Sequence, residues 1–494
     1  MTQLDSEEFR SAAHALVDQI ADFYATLPTR PVTSGETPSQ LRALLPAHGL
    51  PEIGQPADEL LAEVAPLLFD HSVHNGHPRF LAYITSSGSP LGALADLLAA
   101  AVNPNLGRWD CGPMATEIEG QVVRWLAELI GYPSNCGGLM TSGGNMANFL
   151  AFIAARKAAA HWDVREHGLA GGGRPLTAYV SAEAHTWVDK AADVAGLGAQ
   201  AIRWVATDDS QRLRTDELNR LIAADKAAGR LPFMIVGTAG TTGTGAIDPL
   251  TELAGIAEAQ GIWFHIDGAY GAPAAAMPEA PAELQAIARA DSVAIDPHKW
   301  LYAPLEAGCA LVRDSNALQA AFSFLPSYYK LDAAVDGEAP GVNYYNLGMQ
   351  NSRGFRALKV WLGLRAAGRR GVVAAIEQNI SLSQHLQALA NQHPEIEAGT
   401  QSLSITTFRY RPATLRGTGP DQDAYLDQLN RRLLVDLQRD GEIYLSNAVI
   451  DGAYWLRACI VNFRTALADI AVIPDIVARA GQQLDTELRP ASLR

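Results

Sequence analysis

The stretch DSVAIDPHKWL, residues 291–301, decides the interpretation of the whole chain. Its apolar and β-branched run Ser292–Ile295 predicts a buried strand that ends before Pro297. Lys299 follows at once, between a histidine and a tryptophan. Most lysines are solvated surface charges, but the end of a buried strand is an unfavourable place for an idle ammonium group. A desolvated lysine loses its proton more easily and can then act as a nucleophile that forms a Schiff base.

A carboxylate follows a second apolar run in the stretch HIDGAYGA, residues 265–272. Asp267 comes directly after the run Ile262–Ile266, which predicts another buried strand. From its position alone, Asp267 is either a buried structural acceptor or a functional charge. With an electron-sink cofactor, a carboxylate paired to a pyridine nitrogen would keep that nitrogen protonated and so stabilise a carbanion.

A glycine-rich segment, GGLMTSGGNMAN at residues 137–148, opens an alanine-rich helical pattern that runs to Ala160. Small residues at a helix N-terminus let backbone N–H groups approach an anion such as a phosphate. A tight glycine turn with no ligand is the alternative interpretation of this segment alone. The chain contains neither G-x-G-x-x-G nor the P-loop pattern, so the usual support for a nucleotide site is missing.

These three elements, in this order, resemble the group II pyridoxal-phosphate decarboxylases, and most closely the aromatic-L-amino-acid decarboxylases that act on tyrosine, tryptophan or DOPA. The resemblance covers nearly the whole chain. Further matching segments are HPRFLAY at 77–83, SAEAHT at 181–186, GTAGTTGTGAID at 237–248 and FRALKVW at 355–361.

The pattern of elements and the resemblance predict the same α/β fold. Short apolar runs alternate with helical windows, which favours a mostly parallel sheet covered on both faces. The runs are Thr177–Ser181, Ala201–Val205, Phe233–Gly237, Ile262–Ile266, Ser292–Ile295 and Cys309–Arg313. The resemblance implies the PLP-dependent transferase fold type I (aspartate aminotransferase-like), with a seven-stranded sheet. The predicted parts are an N-terminal helical arm at 1–87 that packs on a partner subunit, a large PLP-binding domain at 88–370, and a small C-terminal α+β domain at 371–494.

The resemblance also assigns roles to individual residues. It implies that Lys299 holds pyridoxal 5′-phosphate as an imine and that Asp267 pairs with the ring nitrogen. His185 would stack on the ring. The carbanion would be protonated by Tyr328, which lies on a predicted loop over the site, or by His185. The full implied cofactor set is Gly143, Gly144, Asn145, His185, Thr242, Asp267, Ala269, His298 and Lys299, with Asp248 near the ring. Asp296 departs from the asparagine of the animal enzymes, so its role toward the phosphate is left open.

The same resemblance also indicates which residues would contact the substrate. The predicted substrate-binding residues are Tyr83, Ile84, Ser86, Arg108, Leu305 and Ser352. Asn75 and Gly107 stand where bulky aromatic residues often occur, which predicts a roomier pocket. Arg108 could bind the side-chain carboxylate of an acidic substrate, or be a surface or interface residue.

The predicted activity is PLP-dependent decarboxylation of an L-amino acid, with an aromatic one favoured, to the amine and CO2. An aromatic aldehyde synthase or an acidic amino acid decarboxylase are the alternatives, and an aminotransferase is less favoured. Tyr328 favours simple decarboxylation, because related aldehyde synthases commonly have phenylalanine at that position.

Composition restricts the other classes of function. The net charge of −15 opposes binding to nucleic acid and to anionic membranes. The N-terminal residues lack the pattern of a signal peptide, and the four scattered cysteines fit reduced thiols, so we predict a cytoplasmic enzyme. The spacing of His71, His74 and His77 matches no zinc pattern, and no metal is expected. The resemblance implies a homodimer with active sites at the interface.

Overall fold

The computed structural model describes residues 4–46, 49–324, 341–416 and 419–493. The chain divides into two compact units. The larger unit contains Ile84–Ser381 and Gln401–Ser404, and the smaller unit contains Met1–Tyr83, Leu382–Thr400 and Ile405–Arg494. The N-terminal and C-terminal segments therefore belong to one unit of the single chain. The three-part division, with an arm on a partner subunit, stays a prediction.

Eleven strands form two sheets in the described ranges. The strands are β1 Gly137–Thr141, β2 Leu176–Ser181, β3 Ile202–Val205, β4 Leu231–Thr238, β5 Trp263–Asp267, β6 Ser292–Ile295, β7 Gly308–Val312, β8 Ile396–Ser402, β9 Ile405–Tyr410, β10 Ser446–Ile450 and β11 Ala453–Cys459. The larger sheet has the order β1-β7-β6-β5-β4-β2-β3. Strand β7 pairs antiparallel with β1 and β6, and the other four pairings in that sheet are parallel, so the prediction of a mostly parallel seven-stranded sheet is confirmed.

Helices surround these strands. They are α1 Ser6–Thr26, α2 Pro38–Leu44, α3 Ala57–Asp70, α4 Pro90–Val102, α5 Pro113–Leu129, α6 Gly144–Ala159, α7 Val164–His167, α8 Trp187–Val194, α9 Thr215–Ala227, α10 Leu250–Gln260, α11 Asn316–Phe322, α12 Ala357–Gln392, α13 Pro420–Asp440, α14 Leu467–Ala471 and α15 Ile473–Leu488. The segment called α12 is broken at Gly368, where φ is +61° and ψ is 172°. No described helix has both the length and the apolar character needed to span a bilayer.

The core of the larger unit determines where its polar residues can gather. Helix α6 is buried along most of its length, because it packs on β6 and β7 and beside α8 and α11. The carboxyl ends of β2, β4, β5 and β6 lie at one edge of the sheet, since these strands are parallel. In open α/β sheets, ligands bind outside that edge, which is where the glycine-rich entry to α6 also lies.

The smaller unit has its own core, which includes Phe408, Leu433 and Leu456. Its four strands have the order β10-β11-β9-β8. Leu403 lies between β8 and β9, in a turn with φ of +48°.

Candidate active site

A cavity of about 290 Å³ lies in the larger unit, and most of the residues that line it have polar side chains. Its lining consists of Ile84, Gly143, Gly144, Asn145, Asn148, His185, Thr238, Gly240, Thr242, Asp267, Ala269, Tyr270, Asp296, His298 and Lys299. All nine residues predicted to bind a cofactor are in this set. They come from five separate segments of sequence, so their convergence is a result of the fold.

Lys299 lies in the turn that follows β6. Its backbone N–H donates to the Asp296 carbonyl at 2.9 Å, which closes the turn after the strand. Its Nζ lies 3.2 Å from Asp296 Oδ2, and its side chain is 19% exposed. The amine is therefore held by one buried carboxylate while it remains open to the cavity, as a Schiff-base lysine must be.

Asp267 is fixed by two donors at the end of β5. Its Oδ2 accepts the indole N–H of Trp187 at 2.8 Å, and its Oδ1 accepts the backbone N–H of Ala269 at 3.2 Å. The Trp187 side chain is almost completely buried and packs edge-on to His265, with ring centroids 5.9 Å apart. Trp187 was not predicted as a site residue, although it lies two residues after His185. A buried indole N–H needs a hydrogen-bond acceptor, but the sequence does not indicate that the acceptor is Asp267.

His185 lies at the rim of the cavity, in the turn between β2 and α8. Desolvation by the surrounding protein lowers the pKa of His185 below its ordinary value, against an opposing effect of Asp267. Its Nδ1 accepts the backbone N–H of Trp187 at 3.3 Å. In the neutral ring the hydrogen is then on Nε2, so His185 presents a neutral N–H donor near neutral pH.

His265 lies two residues before Asp267 on β5. Its Nδ1 lies 2.8 Å from Ser292 Oγ and its Nε2 lies 2.8 Å from Asn148 Oδ1. Burial lowers the pKa of His265 to about 4. This ring is therefore neutral at physiological pH, and it adds no positive charge beneath the carboxylate.

The glycine-rich entry to α6 leaves space for an anion. Gly143 has a φ of +154°, in the region that favours glycine. A Cβ at Gly144 would lie 2.7 Å from Asp296 Oδ2 and 2.9 Å from Ala269 Cβ. A side chain is thus excluded at Gly144, the first residue of this 16-residue helix, whose first backbone N–H groups have no acceptor within the helix. The residues present fit a phosphate at this end of the cavity and an aromatic ring between His185 and Asp267.

His298 lines the same end of the cavity. Its Nδ1 accepts the backbone N–H of Ala307 at 3.3 Å, so the hydrogen of the neutral ring is on Nε2. That Nε2 lies 3.6 Å from Asp296 Oδ2. Burial lowers the pKa of His298, although Asp296 opposes the shift.

The predicted substrate residues are less closely gathered. Ile84 lines the cavity, and Ser86 donates its hydroxyl to the His298 carbonyl at 2.7 Å. Arg108, Leu305 and Ser352 do not line this cavity in the described part of the larger unit. Tyr83 belongs to the smaller unit, where its backbone carbonyl accepts from Arg457 at 2.9 Å. Tyr328 lies outside the described residues, so its role stays a prediction.

The structure gives the surroundings of three further residues that the sequence analysis named: Asp248, Arg108 and Gly107. Asp248 does not line the cavity: it is fully buried and accepts the backbone N–H groups of Leu213 and Thr238, each at 2.8 Å. Arg108 makes two hydrogen bonds to Asp110, at 2.9 and 2.8 Å. A Cβ at Gly107 would lie 2.0 Å from the Asn351 carbonyl oxygen, so close backbone packing explains this glycine. It does not by itself enlarge a pocket.

Comparison with known proteins gives the class of this chain. Residues 38–411 match the family described as the pyridoxal-dependent decarboxylase conserved domain, and the chain belongs to this family. It is an α/β carboxy-lyase of fold type I with pyridoxal phosphate as its cofactor, as predicted from the sequence.

Individual relatives span almost the whole chain. An aromatic-L-amino-acid decarboxylase of Bacillus atrophaeus is 34% identical over 473 residues, which cover 95% of each protein. A phenylacetaldehyde synthase of Arabidopsis thaliana is 31% identical, with 92% of each protein covered. Among solved structures, Oryza sativa TDC with PLP and tryptamine superposes with a TM-score of 0.89 at 27% identity, covering 98% of this chain and 99% of that one.

Proposed function

We propose that this enzyme decarboxylates an aromatic L-amino acid to the corresponding amine and CO2, in the cavity that Lys299 and Asp267 line. The observation that carries the proposal is their placement together with the N-terminus of α6 around one cavity of about 290 Å³. An amine, a carboxylate and an anion site are the three groups that pyridoxal phosphate requires.

Each part of the cavity has a counterpart in the cofactor. Lys299 would hold its aldehyde carbon covalently through Nζ, and Asp267 would pair with the ring nitrogen. Gly143, Gly144 and Asn145 would bind the phosphate, with Thr242, Ala269 and His298 beside the bound group and His185 on the ring face. When bound, pyridoxal phosphate supplies an electron sink for the pair of electrons that the departing carboxylate leaves at Cα.

The residues around the ring divide the remaining work. Asp267 is oriented by the Trp187 indole and the Ala269 N–H, and it would keep a proton on the ring nitrogen of the bound cofactor. His185 presents an N–H from an uncharged ring, so it can donate a hydrogen bond without adding a cation near Asp267. We assign the proton transfer to Cα to Tyr328 on the basis of the family resemblance, with His185 as the second candidate. Lys299 Nζ would hold the cofactor covalently before the amino acid binds and again after the amine has left.

The proposed substrate class rests on the relatives and on Arg108. The Bacillus atrophaeus relative is an aromatic-L-amino-acid decarboxylase, and the Oryza sativa structure contains tryptamine. Both hydrogen bonds that Arg108 donates to Asp110 use the Nε and Nη2 edge of its guanidinium, and Arg108 does not line the cavity. An aldehyde synthase is the second candidate, because the Arabidopsis thaliana relative is one. Tyr328 favours the decarboxylase.

We also propose that the enzyme is a cytoplasmic homodimer, and that the predicted substrate residues Tyr83, Ile84, Ser86, Leu305 and Ser352 complete the site at the dimer interface. Helix α4 supports the dimer, since Leu94, Leu97, Leu98 and Val102 are each about half exposed or more. The four cysteines are free thiols, which supports a reducing compartment. Light scattering would test the dimer.

The test of the activity is a product analysis. Purified enzyme with pyridoxal phosphate is incubated with all common amino acids and DOPA, and products are measured by mass spectrometry while oxygen is recorded. An aromatic amine formed without oxygen uptake is expected. An aldehyde with oxygen uptake would assign the enzyme to the synthase class, and an amine from glutamate or aspartate would contradict the aromatic assignment. Arg108→Gln would then be the variant to test.

A further inference from the structure

A buried carboxyl group lies at the end of the cavity where a phosphate would bind. Asp296 is 2% exposed and lines the cavity together with the entry to α6. Its Oδ2 faces Lys299 Nζ at 3.2 Å and His298 Nε2 at 3.6 Å. Its Oδ1 is buried and has no hydrogen-bond partner in the described part of the chain. Such an orphaned acceptor is uncommon in a protein interior and requires an explanation.

The charges around Asp296 do not supply a second counter-ion. On its own turn are Lys299 and His298, and burial lowers the pKa of that histidine. Across the cavity are His185, whose pKa is also lowered, and the carboxylate Asp267. From β7, the thiol of Cys309 has its pKa raised by burial, so it is neutral. Lys299 is therefore the one full positive charge within hydrogen-bonding distance of Asp296 among the described residues.

A phosphate dianion at the α6 N-terminus would meet this carboxylate directly. Gly144, the first residue of α6, lies against the carboxylate, since a Cβ there would be 2.7 Å from Asp296 Oδ2. Two anions sharing one dry site strongly favour the uptake of a proton by one of them. A phosphate monoester has its second pKa near 6, so its monoanion is readily reached.

We propose that Asp296 makes cofactor binding proton-linked: the site takes up one proton from solvent per phosphate bound and shares it between the Asp296 carboxyl and a phosphate oxygen. The inference rests on the proposed cofactor site. One O–H bond forms with the proton from solvent, and no other bond of the site changes. The combined negative charge of the two anions therefore decreases by one. An ion pair between Asp296 and Lys299 alone would produce no such dependence on the phosphate.

The test uses pyridoxamine 5′-phosphate, which carries the phosphate but cannot condense with Lys299. It is titrated calorimetrically at pH 8 into cofactor-free wild type and Asp296→Asn, in two buffers of different ionisation enthalpy. Wild type should take up about one proton per site more than the variant. Its Kd should rise about tenfold more than that of the variant between pH 7 and pH 8. Pyridoxamine, which lacks the phosphate, should show no difference between the two proteins.

Three results would overturn the proposal. Equal proton uptake by both proteins would remove Asp296 from the linkage, and an equal difference with pyridoxamine would assign it to Lys299 or His298. If Asp296→Asn does not fold, phosphorus NMR of wild type decides alone: the bound phosphate should keep a protonated chemical shift at pH 8, and a dianion shift contradicts the proposal.

Failure of wild type to bind either pyridoxal phosphate or pyridoxamine phosphate would refute the cofactor site itself, whereas binding without proton uptake refutes this inference only.

Discussion

Replacement of Trp187 by phenylalanine would test how Asp267 is held. The indole N–H donates to Asp267 Oδ2 at 2.8 Å within the protein interior. A hydrogen bond to a charged group contributes about 1.5–3 kcal/mol. If that amount is lost from the orientation of Asp267 in the transition state, kcat falls roughly tenfold to 150-fold, because each 1.4 kcal/mol is a factor of ten. Trp187→Phe also opens space in the core, so unfolding becomes easier as well.

The assay must separate the catalytic effect from the loss of packing. Steady-state kinetics with saturating pyridoxal phosphate would be measured beside urea unfolding. Trp361→Phe is the matched control, because its indole N–H donates to the neutral Gln121 side chain at 2.7 Å, away from the cavity. The control should lose stability and keep its kcat. If Trp187→Phe loses stability to a similar extent but keeps kcat within twofold, then Trp187 is a core residue only, and its role in positioning Asp267 is refuted.

Three further predictions concern the same unit. Gly144→Ala should weaken cofactor affinity at least tenfold, because its Cβ would lie 2.7 Å from Asp296 Oδ2, whereas Gly255→Ala, with no atom within 4 Å of its Cβ, should bind normally in the same absorbance titration. The free energy of unfolding should fall as the pH drops from 6.5 toward 4. The pKa of His265 in the folded protein is about 4, so the unfolded chain takes up this proton at a higher pH. The contribution of His265 to this loss is roughly 3 kcal/mol. On acidification, the urea midpoint should fall less for His265→Gln than for wild type or for a variant of the exposed His161. An equal fall in all three proteins would contradict the assignment of this pH dependence to His265. Tyr328→Phe should convert part of the product from amine to aldehyde with oxygen uptake, and an unchanged product ratio would remove Tyr328 from the protonation step.

Patterns of short range were enough to predict much of the larger unit. The run Ser292–Ile295 coincides with β6, and the five other predicted runs lie within one or two residues of their strands. Each of these is a continuous apolar segment bounded by turn residues, so local sequence was decisive. Strand β1 was missed because Gly137 and Gly138 favour a turn. Its pairing with β7 supplies the hydrogen bonds that its own sequence does not predict.

The sequence predicted the site residues that belong to local motifs. It did not predict the contacts between residues that are far apart in the chain. Lys299, Asp267 and the glycine-rich entry to α6 were found from residue type and position after apolar runs. The bond between Trp187 and Asp267 joins residues 80 positions apart, so no local pattern indicates it. The pairing of Arg108 with Asp110 and the structural role of Asp248 likewise depend on side-chain directions that only the folded chain defines.

Identification of the covalently modified residue tests the central claim most directly. The enzyme would be incubated with pyridoxal phosphate, reduced with borohydride to make the bond permanent, digested, and mapped by mass spectrometry. We expect one pyridoxyl group on Lys299 and none in Lys299→Ala, which should also lose turnover. A modified residue other than Lys299, or full activity in Lys299→Ala, would contradict it.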